Sequence, residues 1–222
     1  MGKANNQGIK LCDTDYAFVI NPDVKFEVKT IQLMIDFTLK KDNYAVLAPI
    51  SDNINYPNYK IKNKKFLNDQ EDYLDVDSVD GYAMLINKKK FEKNIFFDEN
   101  FFLFLENDDL CKRTKKVGNN IYVIKNAFID HEGFSSSKKI DNDELEYLRN
   151  WHWMWSKFYF NKKHYGFIKA FISILPSFLS SILKILIFTL LLNKKKRKIY
   201  QFRFFGILNS IIGKTSWYRI KD

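Results

Sequence analysis

An α/β sheet covered by helices is the fold the sequence predicts, and three observations predict it. Short apolar runs ending at turn residues alternate, as far as residue 131, with segments whose apolar residues recur at helical spacing. Alternation of this kind builds sheets covered by helices, with ligands at the carboxyl ends of the strands. The chain has 222 residues, 46% hydrophobic and 17% aromatic, enough to bury one domain core and leave an apolar surplus. That surplus is concentrated near the C-terminus, where membrane-associated helices are expected.

In chain order, Asp15–Ile20 reads as a strand stopped at Asn21-Pro22-Asp23-Val24, because Pro22 cannot continue a ladder. A carboxylate is thereby held at a strand end. Lys25–Lys41 carries Phe26, Ile31, Met34, Ile35 and Phe37 at mostly helical spacing, and Tyr44–Ile50 is a strand that Pro49 helps to end. Residues 51–76 form a polar connection that either shapes a groove or stays in solvent. Val79–Ile86 reads as a strand containing Gly81. Ile121–Ile124 and Ala127–Ile129 then lead His131 into a polar loop.

Between those strands, Phe97–Leu105 places aromatics directly before Glu106, Asp108 and Asp109, where a helix begins. Acids at a helix start can serve capping alone. Set beside Asp23 and His131, however, they make three acid or imidazole stations, each at the end of an apolar run. Such an arrangement suits a metal-assisted site assembled from loops.

The order and spacing of these stations resemble family 2 glycosyltransferases of the GT-A fold, in the rhamnosyltransferase-like branch. Residues 2–9 resemble the family's Asn-rich turn and helix, and Asn21-Pro22-Asp23-Val24 its variant of the Asp-x-Asp motif. Val79–Ile86 resembles the Gly-containing strand beside the acceptor. Phe97-Asp98-Glu99 with Glu106–Arg113 resembles the acid segment, and His131-Glu132-Gly133 with Ser135 the late His loop. The resemblance covers residues 2 to 137. It implies an inverting enzyme that moves a sugar, with rhamnose as the branch's example, from a nucleoside-diphosphate donor to a lipid-linked or cell-surface polysaccharide acceptor in envelope biosynthesis.

In that scheme Asp23 and His131 hold Mg²⁺ or Mn²⁺ on the donor diphosphate. Asn6, Asn21 and Gly81 lie against substrate, and Glu106 or Asp109 deprotonates the acceptor. Two departures bear on it. Asn21 replaces the first Asp of Asp-x-Asp, a change the branch commonly shows. Asn107 stands where the family has the second acid of a Glu-Asp pair, and an amide cannot accept the acceptor's proton. The resemblance also implies a nucleotide-binding strand, helix and strand ahead of the Asn-rich turn, so an N-terminally truncated fold is expected. A noncatalytic remnant acting through membrane or protein contacts is the rival reading.

Cys12 and Cys111 lie far apart without ligand-like spacing, so reduced thiols are expected rather than a disulfide or zinc site. The N-terminus lacks the basic-then-apolar pattern of a signal peptide.

The net charge of +10 is gathered at the end: residues 193–222 hold nine Lys or Arg against one acid. Before them, Phe171–Leu192 is long enough to cross a bilayer at about 1.5 Å per residue. Ser173, Ser177, Ser180, Ser181 and Lys184 share one helical face, which favours a helix lying in the membrane plane over a spanning or partner-binding one. Lys194–Lys198 would then sit against anionic headgroups. Basic residues adjoining an apolar helix, rather than a basic groove, argue against nucleic acid. The expected organisation is a partial catalytic domain at 1–140, an aromatic connecting helix at 141–166 ended by Gly166, and a membrane-association region at 167–222. The expected location is the cytoplasmic face of the inner, or plasma, membrane. His152 and His164 read as core or interfacial residues.

Overall fold

The structure, a computed structural model, describes residues 2–53, 55–61, 71–92, 95–131 and 142–220. Much of the polar connection and the loop after His131, with Glu132, Gly133 and Ser135, lie outside the described residues. The chain divides into two compact units, one made of Gly2–Asp98 and Glu106–Lys138, the other of Glu99–Leu105 and Lys139–Asp222.

The first unit is an α/β layer structure with a mixed sheet. Its strands are β1 (Tyr16–Ile20), β2 (Val24–Phe26), β3 (Tyr44–Ser51), β4 (Tyr59–Lys60), β5 (Tyr73–Asp75), β6 (Ser78–Val79), β7 (Ala83–Asn87) and β8 (Asn120–His131). The main sheet runs β1-β7-β3-β8-β2, with β5 sharing the β2 side of β8, while β4 and β6 pair separately. Among the described residues, only β3 and β8 pair in parallel; the other pairings are antiparallel. Both faces of β3 are covered, which explains its unbroken apolar run Tyr44–Ala48.

Helix α2 (Val28–Lys40) covers one face through Met34 and Phe37, against Tyr44, Leu47 and Tyr122, and Thr30 Oγ1 donates to Phe128 O at 2.7 Å. Helices α1 (Gly2–Leu11) and α3 (Glu106–Lys116) cover the other through Ile9, Leu110 and Cys111.

Several boundaries differ from the sequence reading. Residues 24–26 extend as β2 instead of opening a helix, because each finds a partner at the end of β8. The two predicted strands at 121–129 are one strand, with its register against β3 shifting between Pro49 and Ile50. A shift at this point accommodates the N–H that Pro49 lacks. Gly81 lies in the turn between β6 and β7, not inside a strand.

The second unit packs α4 (Asn142–Tyr165), α5 (Phe167–Leu190) and α6 (Lys194–Ile211) on one another. Met154, Phe158, Ala170, Ile174 and Ile207, one or two from each helix, form its core. A Cβ at Gly206 would lie 3.1 Å from the carbonyl carbon of Trp151 and closer still to its oxygen, so only glycine permits this approach of α6 to α4. Residues 99–105 pack along α4: Phe101 meets Tyr159 edge-on at 4.9 Å, and Ser156 Oγ donates to Leu103 O at 2.7 Å. His152 is fully buried between Ser216 Oγ (2.8 Å) and Tyr218 O (2.9 Å), a core histidine pinning the C-terminal tail.

Candidate active site

The C-terminal ends of β1, β3 and β8 and the N-terminal ends of β2 and β7 meet at one edge of the sheet, as their registers require. The turn 21–23 joins β1 to β2 there. Asn21 N–H donates to Tyr82 O at 2.8 Å and Val24 N–H to Asn21 O at 3.2 Å, so Asn21 fixes the turn through its backbone. Val24 pairs with His131, which brings the side chains of Asp23 and His131 together, Oδ1 to Nε2 at 3.4 Å. The imidazole stacks on Tyr82 with centroids 4.1 Å apart and planes 16° from parallel. Tyr82 in turn bonds Ser51, and burial pushes its hydroxyl up to about 12.

Asp80 lies within electrostatic reach of His131, and of a nearby ion pair. Lys60 Nζ donates to both oxygens of Asp108, at 2.9 and 3.2 Å. Asp80 feels Lys60, Asp108 and His131, and burial, the largest influence, holds its carboxyl above the ordinary carboxylate range. The backbone that carries these residues is tied by buried Asn58. Its Oδ1 accepts from Ser51 N and its Nδ2 donates to Pro49 O, both at 2.9 Å, while Asp80 N–H donates to Asn58 O.

Helix α3 presents its acids at its N-terminal end, but they divide sharply. Asp109 is fully buried and bonded by Arg113 Nε at 2.9 Å; Arg113 also donates to the carbonyls of Ile95 and Phe96. This carboxylate is a structural counter-ion, and the sequence assignment of Asp109 as a base is replaced on that ground. Glu106 is buried, its Oε2 lacks a hydrogen-bond partner among the described residues, and burial raises its carboxyl pKa. Asn107 Nδ2 donates to Val79 O at 2.8 Å, and a Cβ on Gly81 would come 3.2 Å from Asn107 Cβ. The space Gly81 leaves is therefore filled by Asn107. Asn6, expected against substrate, instead bonds both backbone groups of Phe97 at 2.9 Å, which joins α1 to the loop before α3.

The structure thus brings together Asp23 and His131, with Asn21 beside them. It adds three residues that the sequence analysis did not single out, Lys60, Asp80 and Tyr82, together with Asp108 of the acid station, to which the resemblance assigned no role. Asp80 and Tyr82 flank Gly81 in the quoted motif, a signal that was present; Lys60 lies in a polar stretch that offered none. Among the described residues, no three His, Cys, Asp or Glu side chains converge as metal ligands. Magnesium-type sites commonly take one or two carboxylates and complete their shell with phosphate and water; Asp23 fits that pattern, and the imidazole of His131 suits Mn²⁺ better than Mg²⁺. A separate cleft of about 490 Å³, lined by Lys25, Lys29, Thr30, Asp52, Phe128 and Asp130, opens beside the start of α2. Asp130 and Lys25 alternate with His131 and Val24 along paired strands, so they point to the opposite face of the sheet.

No family profile matches the sequence, and no curated protein matches it. Among solved structures, the chain is similar to the mannosyltransferase PcManGT from Pyrobaculum calidifontis, determined in complex with GDP-Man and Mn²⁺. The TM-score is 0.48 at 8% identity, over 95% of this chain and 66% of that one. The chain therefore spans just under two thirds of that protein's length.

Proposed function

We propose that this chain transfers a sugar from a nucleoside-diphosphate donor to a lipid-linked or cell-surface polysaccharide acceptor, working at the cytoplasmic face of the plasma membrane. The observation that carries the reading is the meeting of Asp23 and His131 at the edge where the carboxyl ends of β1, β3 and β8 gather, with Asp80 within electrostatic reach of His131 and of the Lys60–Asp108 pair. Rhamnose is the sugar that the motif resemblance favours.

Asp23 and His131 would hold Mg²⁺ or Mn²⁺, which when bound neutralises charge on the diphosphate leaving group. Asp23 would contribute a carboxylate oxygen and His131 a ring nitrogen to such an ion. Tyr82, stacked on the ring, keeps the imidazole plane fixed. Lys60 places a positive charge beside the same edge. In a single inverting displacement the acceptor hydroxyl attacks the anomeric carbon, the bond from that carbon to the diphosphate breaks, and the hydroxyl proton passes to a carboxylate. Asp80 is the group best suited to take it, since burial gives it a greater proton affinity than an ordinary carboxylate. Glu106, which the resemblance assigns to this role, is also buried with its carboxyl held above the ordinary carboxylate range, and is the alternative proton acceptor.

Isothermal calorimetry with Mn²⁺ and a panel of nucleoside-diphosphate sugars tests the reading. At least one donor should bind, and Asp23→Ala and His131→Ala should each weaken it tenfold or more. Equal affinity in wild type and both variants would remove the assignment.

The amide of Asn107 favours a second reading, a donor-binding protein without transfer, because the resemblance expects a carboxylate there. Donor binding with no product in a transfer assay supplied with acceptor glycolipids would select it.

A further inference from the structure

Helix α5 is amphipathic in an unexpected sense. Most of the Ser–Lys face is turned into the protein: Ser181 is buried, Ser177, Ser180 and Lys184 are half-buried, and Ser173 stays exposed. Ser181 donates to Ser177 O at 2.7 Å, while Lys184 Nζ meets Tyr200 OH at 3.0 Å. Phe178 and Phe188 on that side stack on Phe204 and Tyr200, at 5.0 and 5.7 Å. The large apolar residues point outward instead: Ile168, Ile172, Leu179, Leu183, Leu186 and Leu190 are 75%, 64%, 56%, 58%, 59% and 84% exposed. At about 100° per residue these six fall within an arc of roughly 60°, directly opposite the packed side. The stripe extends about 33 Å along the helix at ~1.5 Å per residue. An uninterrupted apolar surface of that length marks an interaction site.

We infer that this stripe lies in one leaflet of an anionic phospholipid bilayer, parallel to the surface, with α4 and α6 behind it on the water side. The inference rests on the membrane part of the preceding reading, not on its sugar chemistry. Charge identifies the occupant. Exposed Lys162, Lys163 and Lys169 stand at the start of the stripe, and exposed Lys194, Lys196 and Lys198 follow Leu190–Leu192 at its end, Lys196 lying over the ring of Phe188 and Lys198 over that of Tyr147. Cations at both ends of an apolar stripe complement anionic headgroups. They oppose a second copy: in either orientation, pairing two stripes would bring Lys clusters against Lys clusters.

Packing identifies the orientation. Length and hydropathy alone would let α5 span. However, α6 lies against α5 from Tyr200 beside Phe188 to Ile207 beside Ala170, and it carries Arg197, Arg203 and Gln201. Arg203 also bonds Asn150 of α4 at 3.3 Å. A spanning α5 would draw these groups into hydrocarbon, whereas an in-plane α5 leaves them in water.

The full chain, with Cys12→Ser so that a single probe can be attached, is tested on vesicles of phosphatidylcholine alone and with one quarter phosphatidylglycerol. Sedimentation should show binding to the anionic vesicles, weakened tenfold or more by 500 mM salt, by Lys194, Lys196 and Lys198→Gln, and by Leu179, Leu183 and Leu186→Asn. The last three positions are exposed, and circular dichroism checks that the variant remains folded. A nitrobenzoxadiazole probe on Leu183→Cys should be quenched more by a nitroxide at carbon 5 of the acyl chain than at carbon 12. Stronger quenching at carbon 12 would place mid-helix at the bilayer centre and overturn the in-plane orientation. Failure to bind vesicles, or a dimer abolished by the Leu→Asn variant, would overturn the lipid assignment. Donor calorimetry on the same samples is independent of either outcome, so failure here and failure of the sugar-transfer reading are separable.

Discussion

Asp109→Asn tests whether the acid that sequence order nominates as a base is instead a structural counter-ion. The native carboxylate is wholly buried and holds Arg113 at 2.9 Å, and the guanidinium, 26% exposed, also ties down Ile95 and Phe96. Removing one partner of a buried pair leaves an uncompensated charge and costs about 3–5 kcal/mol. The partial exposure of Arg113 and the neutral hydrogen bond an amide can still offer place the expected loss near the lower end, about 3 kcal/mol. For a unit of this size that is roughly 10 °C in Tm. Thermal unfolding followed by circular dichroism and urea titration measures it, with donor affinity taken below the transition. The double variant Asp109→Leu/Arg113→Met should recover part of the loss, since it removes both charges while leaving the Ile95 and Phe96 carbonyls without their donor. An Asp109→Asn protein of native stability that had lost transfer, with donor affinity intact, would refute the structural assignment and restore Asp109 as the base.

Three further outcomes are expected. Gly206→Ala should destabilise the helical unit by about 2 kcal/mol net: the clash with the Trp151 backbone, about 3 kcal/mol, exceeds the ~1 kcal/mol helix preference of alanine, and thermal melts read the sign. His152 is held down to about 4 by burial, so folding keeps it neutral. Because its folded pKa lies below the unfolded value of 6.5, its contribution is complete above pH 6.5 and falls away as pH drops toward 4. Urea unfolding of wild type against His152→Gln should reveal a pH-dependent difference of about 3 kcal/mol across that window. Asn107→Asp should lose the bond to Val79 O at a cost of about 1–3 kcal/mol, read by thermal melts. A gain of transfer activity in that variant would favour the noncatalytic reading of the native chain.

The residues that lie adjacent in sequence were legible without a structure. Pro22 stops β1 because it has no N–H for a ladder. Glu106 opens α3 because acids suit a helix N-terminus, and Gly166, with φ of 85°, ends α4. The apolar length of α5 and the basic cluster after it could be read in the same way. What remained hidden depends on which distant groups meet. Asn6 has the residue type of a site residue, but only the packing of α1 shows it bonded to Phe97; Asp109 and Arg113 are an i, i+4 pair readable along α3, and what the packing adds is the full burial of the carboxylate. Lys60 joins the site through the β4–β6 pairing, which leaves no local sequence signal. The periodicity of α5 determined that its polar and apolar residues occupy opposite faces. The direction each face takes depends on what else is available to bury it. Tyr200 and Ser177 satisfy Lys184 and Ser181 inside the helical unit, so the leucines are left outside. A helix sequence records the angle between its two faces, and the partners that compete for each face decide which one is turned inward.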